Sequence, residues 1–310
     1  MRNFRDGARK KPPCPFPAKA KDLDVLIFIK PAQLPLKPEI EKHARKVFHR
    51  ANTVCPEDLD QLEKTASRAA GSFNLIMAAG GDGTLNRIVN ALDTAKCGIA
   101  VIALGSGNDF ARNFHNPGQL RDKLTMFEGA EWRAVDLCKA GPYYYINSGG
   151  IGLDAATLAT REKSRGKFLR DYNIAFLRTL PRLSALECRA SLDGADVSGR
   201  YLWALAMNNR EIGGGMLAAP DARIDDGLFD VLLVGDIPKI RLGVLLPLIH
   251  KGTHVRHPAV KYVQGKSLSI ELPGAIKHLA LDGELYFTSE SKIEFRVLPG
   301  AAWVFGAFVR

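Results

Sequence analysis

The sequence has 310 residues, of which 46% are hydrophobic and 25% charged, and its formal net charge is +10 at pH 7. A chain of this length buries about three quarters of its unfolded surface, which suits two domains without disulfide staples. Five dispersed cysteines without a C-x-x-C pair, and no apolar run near the roughly 20 residues of a membrane span, predict a protein of the reducing cytoplasm that does not cross a bilayer. The basic balance permits nucleic acid or anionic membrane as a partner.

The chain begins with a basic, proline-rich stretch. Residues 1–21 contain seven Lys or Arg residues and four prolines but no apolar core of a secretory signal, which predicts a disordered basic arm. The apolar run Asp24–Ile29 predicts a buried strand. Helices are then predicted over residues 38–52 and 57–70.

Residues 73–92 organise the first half of the chain. An apolar run stops at a glycine-rich loop and is followed by apolar residues at helical spacing, which predicts strand, tight loop and helix. Gly80, Gly81 and Gly83 would allow a phosphate to approach N–H groups at the helix N-terminus, although they could also form only a sharp turn. Asp82 would repel a phosphate unless a cation lay between them, so the combination favours a metal-nucleotide site.

A second unit of the same kind follows. The apolar residues 98–104 predict a strand that ends on Gly105, Ser106 and Gly107, and a helix is predicted to start within residues 108–112. Two such units in tandem imply parallel strands whose loops share one edge of the sheet. Asp82 and Asp109 are therefore expected to face one cleft, unless Asp109 only balances the dipole of a helix.

Beyond about residue 137 the pattern changes to short alternating runs separated by turns. Strands are predicted near residues 143–148, 201–207, 229–234, 267–272, 278–281 and 292–297, which together suggest an antiparallel sandwich. Residues 161–182 mix Lys and Arg with aromatic residues. This mixture would suit an anionic membrane surface, or a solvated helix that packs its apolar side on the second domain.

With these motifs in order, the chain resembles the diacylglycerol kinase catalytic family, and in particular the bacterial soluble lipid kinases related to sphingosine and ceramide kinases. The resemblance runs from about residue 24 to the end, and the first motif alone also recurs in NAD kinases. It is carried by residues 80–86 (GGDGTLN), 105–112 (GSGNDFAR), Asn147 with Gly152 and Asp154, Gly213–Gly215 with Pro220 and residues 225–227 (DDG), and residues 282–284 (DGE).

The resemblance implies a fold with two domains. The first, residues 22–138, would be a three-layer α/β/α nucleotide-binding domain of the NAD-kinase and phosphofructokinase type with a parallel sheet. The second, residues 139–297, would be an antiparallel β-sandwich that holds the lipid, with residues 298–310 as candidates for returning to the first domain. The active site would lie in the cleft between the domains.

The resemblance also implies a reaction, namely transfer of the γ-phosphoryl group of ATP to a lipid hydroxyl with Mg²⁺. Asp82 and Asp109 would anchor magnesium through water, and Asp282 would be the general base. The nucleotide would be held by Gly80, Gly81, Asp82, Gly83, Thr84, Gly105, Ser106, Asn108 and Glu284. A structural magnesium would be bound by Asp226 with the backbone carbonyls of Arg223 and Leu228. Taken alone, residues 282–283 would be interpreted as a hairpin turn.

The implied partners are ATP and a lipid at the inner face of an anionic membrane, with no specific nucleic acid and with a homodimer as one option. Two alternatives remain. The chain could phosphorylate a soluble acceptor, although it has Asn147 and Ser148 where NAD kinases have an Asn-Glu pair. It could also be a non-catalytic lipid- or nucleotide-binding regulator, because residues 30–35 (KPAQLP) replace the family's Asn-Pro-x-Ser-Gly loop and leave the nucleotide preference open.

Overall fold

The structure is a computed structural model that describes residues 13–164 and 172–309. Its α-helices are α1 Lys37–Val47, α2 Leu59–Ala69, α3 Asp82–Ala91, α4 Leu120–Thr125, α5 Leu153–Lys163, α6 Tyr172–Thr179 and α7 Lys239–His250. Its strands are β1 Asp24–Ile29, β2 Arg50–Val54, β3 Leu75–Gly80, β4 Gly98–Ala103, β5 Glu131–Ala140, β6 Tyr143–Tyr145, β7 Ser148–Gly152, β8 Leu186–Leu192, β9 Ala195–Asp196, β10 Gly199–Met207, β11 Phe229–Gly235, β12 Val260–Gly265, β13 Ser267–Glu271, β14 His278–Leu281, β15 Glu284–Phe287 and β16 Lys292–Gly306.

The first half is a parallel sheet in the order β2-β1-β3-β4, covered on both faces. Strand β1 shows why two covering layers are needed, because its side chains alternate between two cores. Val25, Ile27 and Ile29 pack in the core that includes buried residues of α1. Leu26 and Phe28 pack in the core that includes buried residues of α2 and α3. The three-layer α/β/α arrangement is as predicted.

The second half is antiparallel and closes around its own core. Strand β10 pairs with β7, β8 and β11, while β13 joins β8 to β16. Tyr145, Phe229 and Phe295 are fully buried in the core of this half. Strand β16 then continues into the first half, where Val304 pairs in parallel with Ile99 of β4. The two halves therefore share one continuous sheet.

Several elements differ from the sequence prediction. The helix predicted to reach residue 52 ends at Val47, and residues 50–54 form the edge strand β2 instead, whose half-exposed residues give no apolar alternation. Strands β5, β8, β9, β12 and β15 and helix α7 were not predicted. Helix α7 is apolar on most sides and contains Pro247, so its sequence shows neither a clear amphipathic stripe nor a normal helix interior.

Part of the predicted disordered arm, residues 1–21, packs on the protein. Residues 1–12 lie outside the described residues, but the ring of Phe16 packs 4.9 Å from that of Trp132, and the Trp132 Nε1–H donates to the Pro17 carbonyl over 2.8 Å. Aromatic burial holds this stretch on the body of the protein. The basic residues 165, 167 and 170 of the predicted membrane segment also lie outside the described residues. No described helix has the length and apolarity to span a bilayer.

Candidate active site

A cavity of about 660 Å³ opens between the carboxyl ends of the parallel strands and the second half of the chain. Three predicted motifs line it, namely the loops around Asp82 and Asp109 and the hairpin that carries Asp282. Asn147, Asp154 and the glycine loop at 213–214 complete its wall. A cleft at the carboxyl ends of parallel strands is where open α/β sheets bind ligands.

The two glycine-rich loops touch each other through their backbones. A Cβ atom on residue 105 would collide with Gly81 Cα, so this position needs glycine, and a Cβ on residue 81 would make a tight contact, 3.1 Å from Gly105 Cα. Asn108 shapes the second loop, because its φ is +55° and its side chain bonds to both Gly105 N and Gly105 O, at 2.9 and 2.6 Å. Asn108 therefore fixes the shape of a loop that lines the cavity.

A 3-10 turn, Phe110–Asn113, follows this second loop where the sequence predicted an α-helix. Asp109 thus has no α-helix dipole to balance, and its carboxylate instead accepts the Gly214 N–H at 3.0 and 3.1 Å. Arg112 contacts both partners, with Nε 3.6 Å from Asp109 Oδ1 and Nη2 3.0 Å from Gly214 O. The triple glycine thereby becomes part of the site.

Asp82 is the first residue of α3 and ties the two loops together. Its Oδ2 accepts the Asp109 N–H at 2.9 Å, and its Oδ1 accepts the N–H of Phe110 at 3.0 Å. The Nδ2 of Asn147, from the second half of the chain, also donates to Oδ1 over 3.2 Å. Asp82 is fixed by these donors at the wall of the cavity.

The Asp82 and Asp109 carboxylates point to the same small space. A Cβ on Gly107 would fill it, lying 3.1 Å from Asp82 Oδ2 and 3.6 Å from Asp109 Oδ2. Burial, and then the neighbouring Asp82, raise the pKa of Asp109 to about 6. Two facing carboxylates with this mutual repulsion are suitable oxygen ligands for a hard divalent cation such as Mg²⁺, directly or through water.

Asp282 sits at the tip of the β14–β15 hairpin with a φ of +51°, and only 5% of its surface is exposed. Four N–H groups donate to its two oxygens, from Asn86 Nδ2 (2.9 Å) and from the backbones of Ile146 (2.9 Å), Asn147 (2.7 Å) and Ser148 (3.0 Å). Burial raises its pKa to about 6 against the opposing effect of these donors. Both interpretations of the sequence at residues 282–283 therefore hold, because Asp282 forms the hairpin turn and also lines the cavity.

Asn86 connects this carboxylate to the first half of the chain. Its Oδ1 accepts the Tyr286 hydroxyl at 2.6 Å, while its Nδ2 also lies 3.2 Å from the Tyr144 carbonyl. Asn86 is fully buried, so each of these bonds is made without competing water. The sequence motif GGDGTLN contains Asn86, but nothing in the sequence indicated its partner.

Further asparagines extend the network on the other side. Asn209 Nδ2 donates to the carbonyl of Asp109 (3.0 Å) and to Asn147 Oδ1 (3.1 Å), and its Oδ1 accepts from Asn113 Nδ2 (3.0 Å). Sequence reasoning missed Asn209 and Asn113. Their only sequence signal is that polar residues flank apolar runs, which is too common to single them out.

Glu284 lies against the N-terminal turn of α3, where a Cβ on Gly83 would collide with its carboxylate. Burial raises its pKa, opposed most by the nearby Arg87. The other predicted nucleotide-binding residues are Gly80, Thr84 and Ser106. Thr84 and Ser106 line the cavity, whereas Gly80 packs against the Thr84 side chain. The replaced loop at 30–35 also reaches this region, where Gln33 Nε2 donates to the Leu104 carbonyl over 2.8 Å.

A second part of the cavity, which we call its apolar end, carries an apolar cluster beside the charged side chains of Asp154 and Arg161. Leu158 and Ala280 line it and pack in one cluster with Tyr172. Asp154 faces the same space, and burial raises its pKa to about 7. This half of the cavity is built by α5, α6 and β14.

The predicted structural metal site lies away from the cavity, in the turn before β11. Asp226 Oδ1 accepts the Leu228 N–H at 3.0 Å, and burial raises the pKa of Asp226 and, to about 6, that of the neighbouring Asp136. No cluster of three or more His, Cys, Asp or Glu side chains is placed to hold a metal within the described residues. Because the predicted set is one carboxylate with the carbonyls of Arg223 and Leu228, it stays a prediction.

Comparison with known proteins shows two matches to protein families. Residues 33–140 match the diacylglycerol kinase catalytic domain, and residues 147–306 match the YegS C-terminal NAD kinase beta sandwich-like domain. A diacylglycerol kinase of Staphylococcus epidermidis is 30% identical over 232 residues, 73% of each chain. A diacylglycerol kinase of Staphylococcus aureus is 30% identical over 247 residues, 77% of each chain.

Solved structures share the fold. The crystal structure of a diacylglycerol kinase from Bacillus anthracis has a TM-score of 0.73 at 21% identity, covering 93% of this chain and 98% of that one. An NAD kinase from Archaeoglobus fulgidus in complex with ATP has a TM-score of 0.51 at 12% identity, covering 91% and 93%. The predicted fold class, an NAD-kinase-like α/β domain followed by a β-sandwich, is confirmed.

Proposed function

The chain belongs to the diacylglycerol kinase family, and from this premise we propose that it transfers the γ-phosphoryl group of ATP to the hydroxyl of a diacylglycerol-like lipid in a Mg²⁺-dependent reaction. Phosphoryl transfer requires mainly positioning, positive charge near the phosphates and one proton acceptor. The observation that carries the proposal is one cavity with a polar end formed by two glycine-rich loops and an apolar end formed by α5, α6 and β14.

The polar end suits the nucleotide. Two backbone loops that touch at Gly81 and Gly105 line the cavity at the start of α3, where N–H groups without an intrahelical partner would donate to phosphate oxygens. Asp82 and Asp109 would hold magnesium beside Gly107. When bound there, the cation would neutralise charge on the phosphates and on the two carboxylates.

Asp282 is the proposed general base, and its hydrogen bonds restrict how a substrate hydroxyl can reach it. Its four donors occupy the acceptor positions of both oxygens, so a substrate hydroxyl must share an oxygen with one of them. Glu284 is the second carboxylate of this hairpin, its pKa is also raised, and it accepts no hydrogen bond from any described residue. The roles of Asp282 and Glu284 can be distinguished by experiment.

The first experiment incubates the full-length protein with Mg²⁺, γ-labelled ATP and a mixed lipid extract in detergent micelles. We expect label in a lipid that comigrates with a phosphorylated diacylglycerol, and none with Asp82→Asn. Label in a soluble acceptor such as NAD, with none in lipid, would instead support the alternative of a soluble-acceptor kinase. Nucleotide binding without transfer to any acceptor would support the regulator.

The second experiment compares Asp282→Asn with Glu284→Gln in the same assay. Loss of the general base costs about 10²–10⁴-fold in rate. If Asp282 is the base, Asp282→Asn shows this loss and Glu284→Gln changes mainly the KM for ATP. The reverse pattern would assign proton acceptance to Glu284 and leave Asp282 as a positioning residue.

A further inference from the structure

Three of the large hydrophobic side chains that the described structure leaves exposed lie at one side of the second half of the chain. Ile240 is 84% exposed, and Leu177 and Phe287 are each 63% exposed. They come from three different elements, α7, α6 and β15. Single exposed apolar residues are ordinary on protein surfaces, so their relative positions decide whether they form a functional surface.

Contacts between these elements join the three positions. Lys239, beside Ile240, donates from Nζ to the Pro181 carbonyl over 2.9 Å, which holds the first turn of α7 against the end of α6. Arg178, beside Leu177, donates from Nη1 to Ser164 Oγ over 2.8 Å. The start of α7, the end of α6 and the end of α5 are therefore neighbours.

The β14–β15 hairpin completes this side. Helix α5 packs on this hairpin, because Ala159 shares a cluster with Ala280 and Leu285. Lys163, the last residue of α5, lowers the pKa of His278 after the larger effect of burial. The His278 ring lies 5.4 Å from that of Phe287. Phe287 thus continues the surface that begins at Ile240.

The charged side chains of these segments are predominantly basic. We define the docking rim as the apolar residues Leu177, Ile240 and Phe287 together with the exposed cations Lys163, Arg178, Arg182, Lys239, Arg241 and Lys277. Glu162 contributes one exposed carboxylate beside Lys163, and Asp236, just before α7, already pairs with Arg200 at 3.0 Å. Apolar tips among cations match a surface that has an anionic layer over an apolar interior.

The rim lies beside the apolar end of the cavity. Helix α5 carries both Leu158, which lines the cavity, and Lys163, which belongs to the rim. Helix α6 likewise begins at Tyr172 on the cavity and carries Leu177 on the rim. A surface bound at the rim would therefore meet the cavity at its acceptor end.

We propose that the docking rim binds the surface of an anionic lipid bilayer, with Ile240, Leu177 and Phe287 entering the headgroup region and the six cations facing lipid phosphates. This inference deepens the proposed function and rests on it for its purpose, since it brings a lipid hydroxyl to the cavity. Binding of the docking rim to a bilayer does not require phosphoryl transfer, so it can be measured independently of the reaction.

The experiment is flotation of the full chain with vesicles of phosphatidylcholine, with and without a minority of phosphatidylglycerol. We expect binding only with the anionic lipid and weaker binding as salt is raised. Because each basic residue near such a surface adds to the attraction, Lys239→Glu with Arg241→Glu should lower the partition coefficient at least about tenfold. Leu177→Asp with Ile240→Asp should lower it comparably.

Matched variants control for net charge and for loss of apolar surface. Arg45→Glu with Lys46→Glu makes the same charge change on exposed residues of α1, and Val309→Asp replaces an exposed apolar residue elsewhere. Both should float like wild type. Equal flotation of wild type and rim variants, or equal losses in rim and control variants, would overturn the proposal. A rim variant that changes the oligomeric state without changing flotation would instead assign the rim to a second copy of the chain.

A short-chain diacylglycerol dissolved as monomers separates docking from chemistry. Rim variants should phosphorylate it at the wild-type rate while losing activity on acceptor embedded in anionic vesicles. If wild type floats through the rim but phosphorylates no lipid, docking stands and the proposed reaction fails. If it phosphorylates lipid but does not float, the reaction stands and the rim has no membrane role.

Discussion

The two ends of the cavity are built in different ways. At the polar end, Asp82 and Asp109 are fixed by backbone donors within two loops that touch through glycines. At the apolar end, Leu158 and Tyr172 are held by packing between α5, α6 and β14. The polar end has little freedom to vary, whereas the apolar end can change shape with the side chains that cover it.

This difference explains why the polar end can be recognised in the sequence better than the apolar end. A loop of glycines with an embedded aspartate has few other uses, while a small apolar cluster could line a pocket or fill a core. We therefore expect substitutions at the polar end to abolish turnover and those at the apolar end to change acceptor preference.

The largest effect is expected at the facing carboxylates. Asp82→Asn or Asp109→Asn removes a charge that would hold the cation, so kcat should fall by about 10²–10⁴-fold. The assay is phosphoryl transfer with saturating ATP and lipid over a magnesium titration. Asp122→Asn, on the exposed helix α4, is the control and should retain wild-type activity. A retained rate in both site variants would contradict a metal site at this position.

The next effect concerns the contact between the two loops. Gly105→Ala places a methyl group against Gly81, and the loops must separate, which costs about 1–3 kcal/mol of folding free energy. Thermal unfolding should show a lower Tm, and the KM for ATP should rise more than the KM for lipid. Gly118→Ala is a matched control because a Cβ there meets no other atom within 4 Å. Equal behaviour of the two variants would disprove close loop contact.

The pH dependence tests Asp282 directly. Burial raises its pKa to about 6, and a general base must be ionised, so kcat/KM should fall about tenfold per pH unit below 6 and level off above it. The effect of pH on stability has the opposite sign. Burial disfavours the ionised carboxylate in the folded protein, so the contribution that Asp282 makes to the free energy of unfolding at low pH is lost as the pH rises through 6. The pKa of Asp109 is also raised to about 6, so Asp282→Asn should lower the rate and make the fall with pH less steep without removing it. An equally steep fall in wild type and in Asp282→Asn would contradict the assignment.

The smallest effect is expected at the apolar end. Leu158→Ala enlarges the part of the cavity beside Tyr172 and should lower kcat/KM for a long-chain diacylglycerol by about tenfold, with the KM for ATP unchanged. A series of acceptors with different chain lengths measures the change. If the KM for ATP rose instead, the two ends of the cavity would not be separate.

The predictable part of the site is local in sequence. Gly80 to Thr84 and Gly105 to Asp109 were identified because turn, charge and helix start fall within a few residues. The Asn86–Asp282 hydrogen bond joins residues 196 positions apart, and only the fold brings them together. The 3-10 turn after Asp109 was missed because the left-handed conformation of Asn108 and its bonds to Gly105 redirect the chain.

The continuity of the sheet has a consequence for folding. Strand β16 is the last strand along the chain, yet it lies in the middle of the sheet, between β13 of one half and β4 of the other. During synthesis β4 therefore lacks this neighbour until residues 292–306 have left the ribosome. We expect the first half to complete its fold only then, in contrast to proteins whose N-terminal domain folds first. The two halves of the protein should therefore unfold as one cooperative unit.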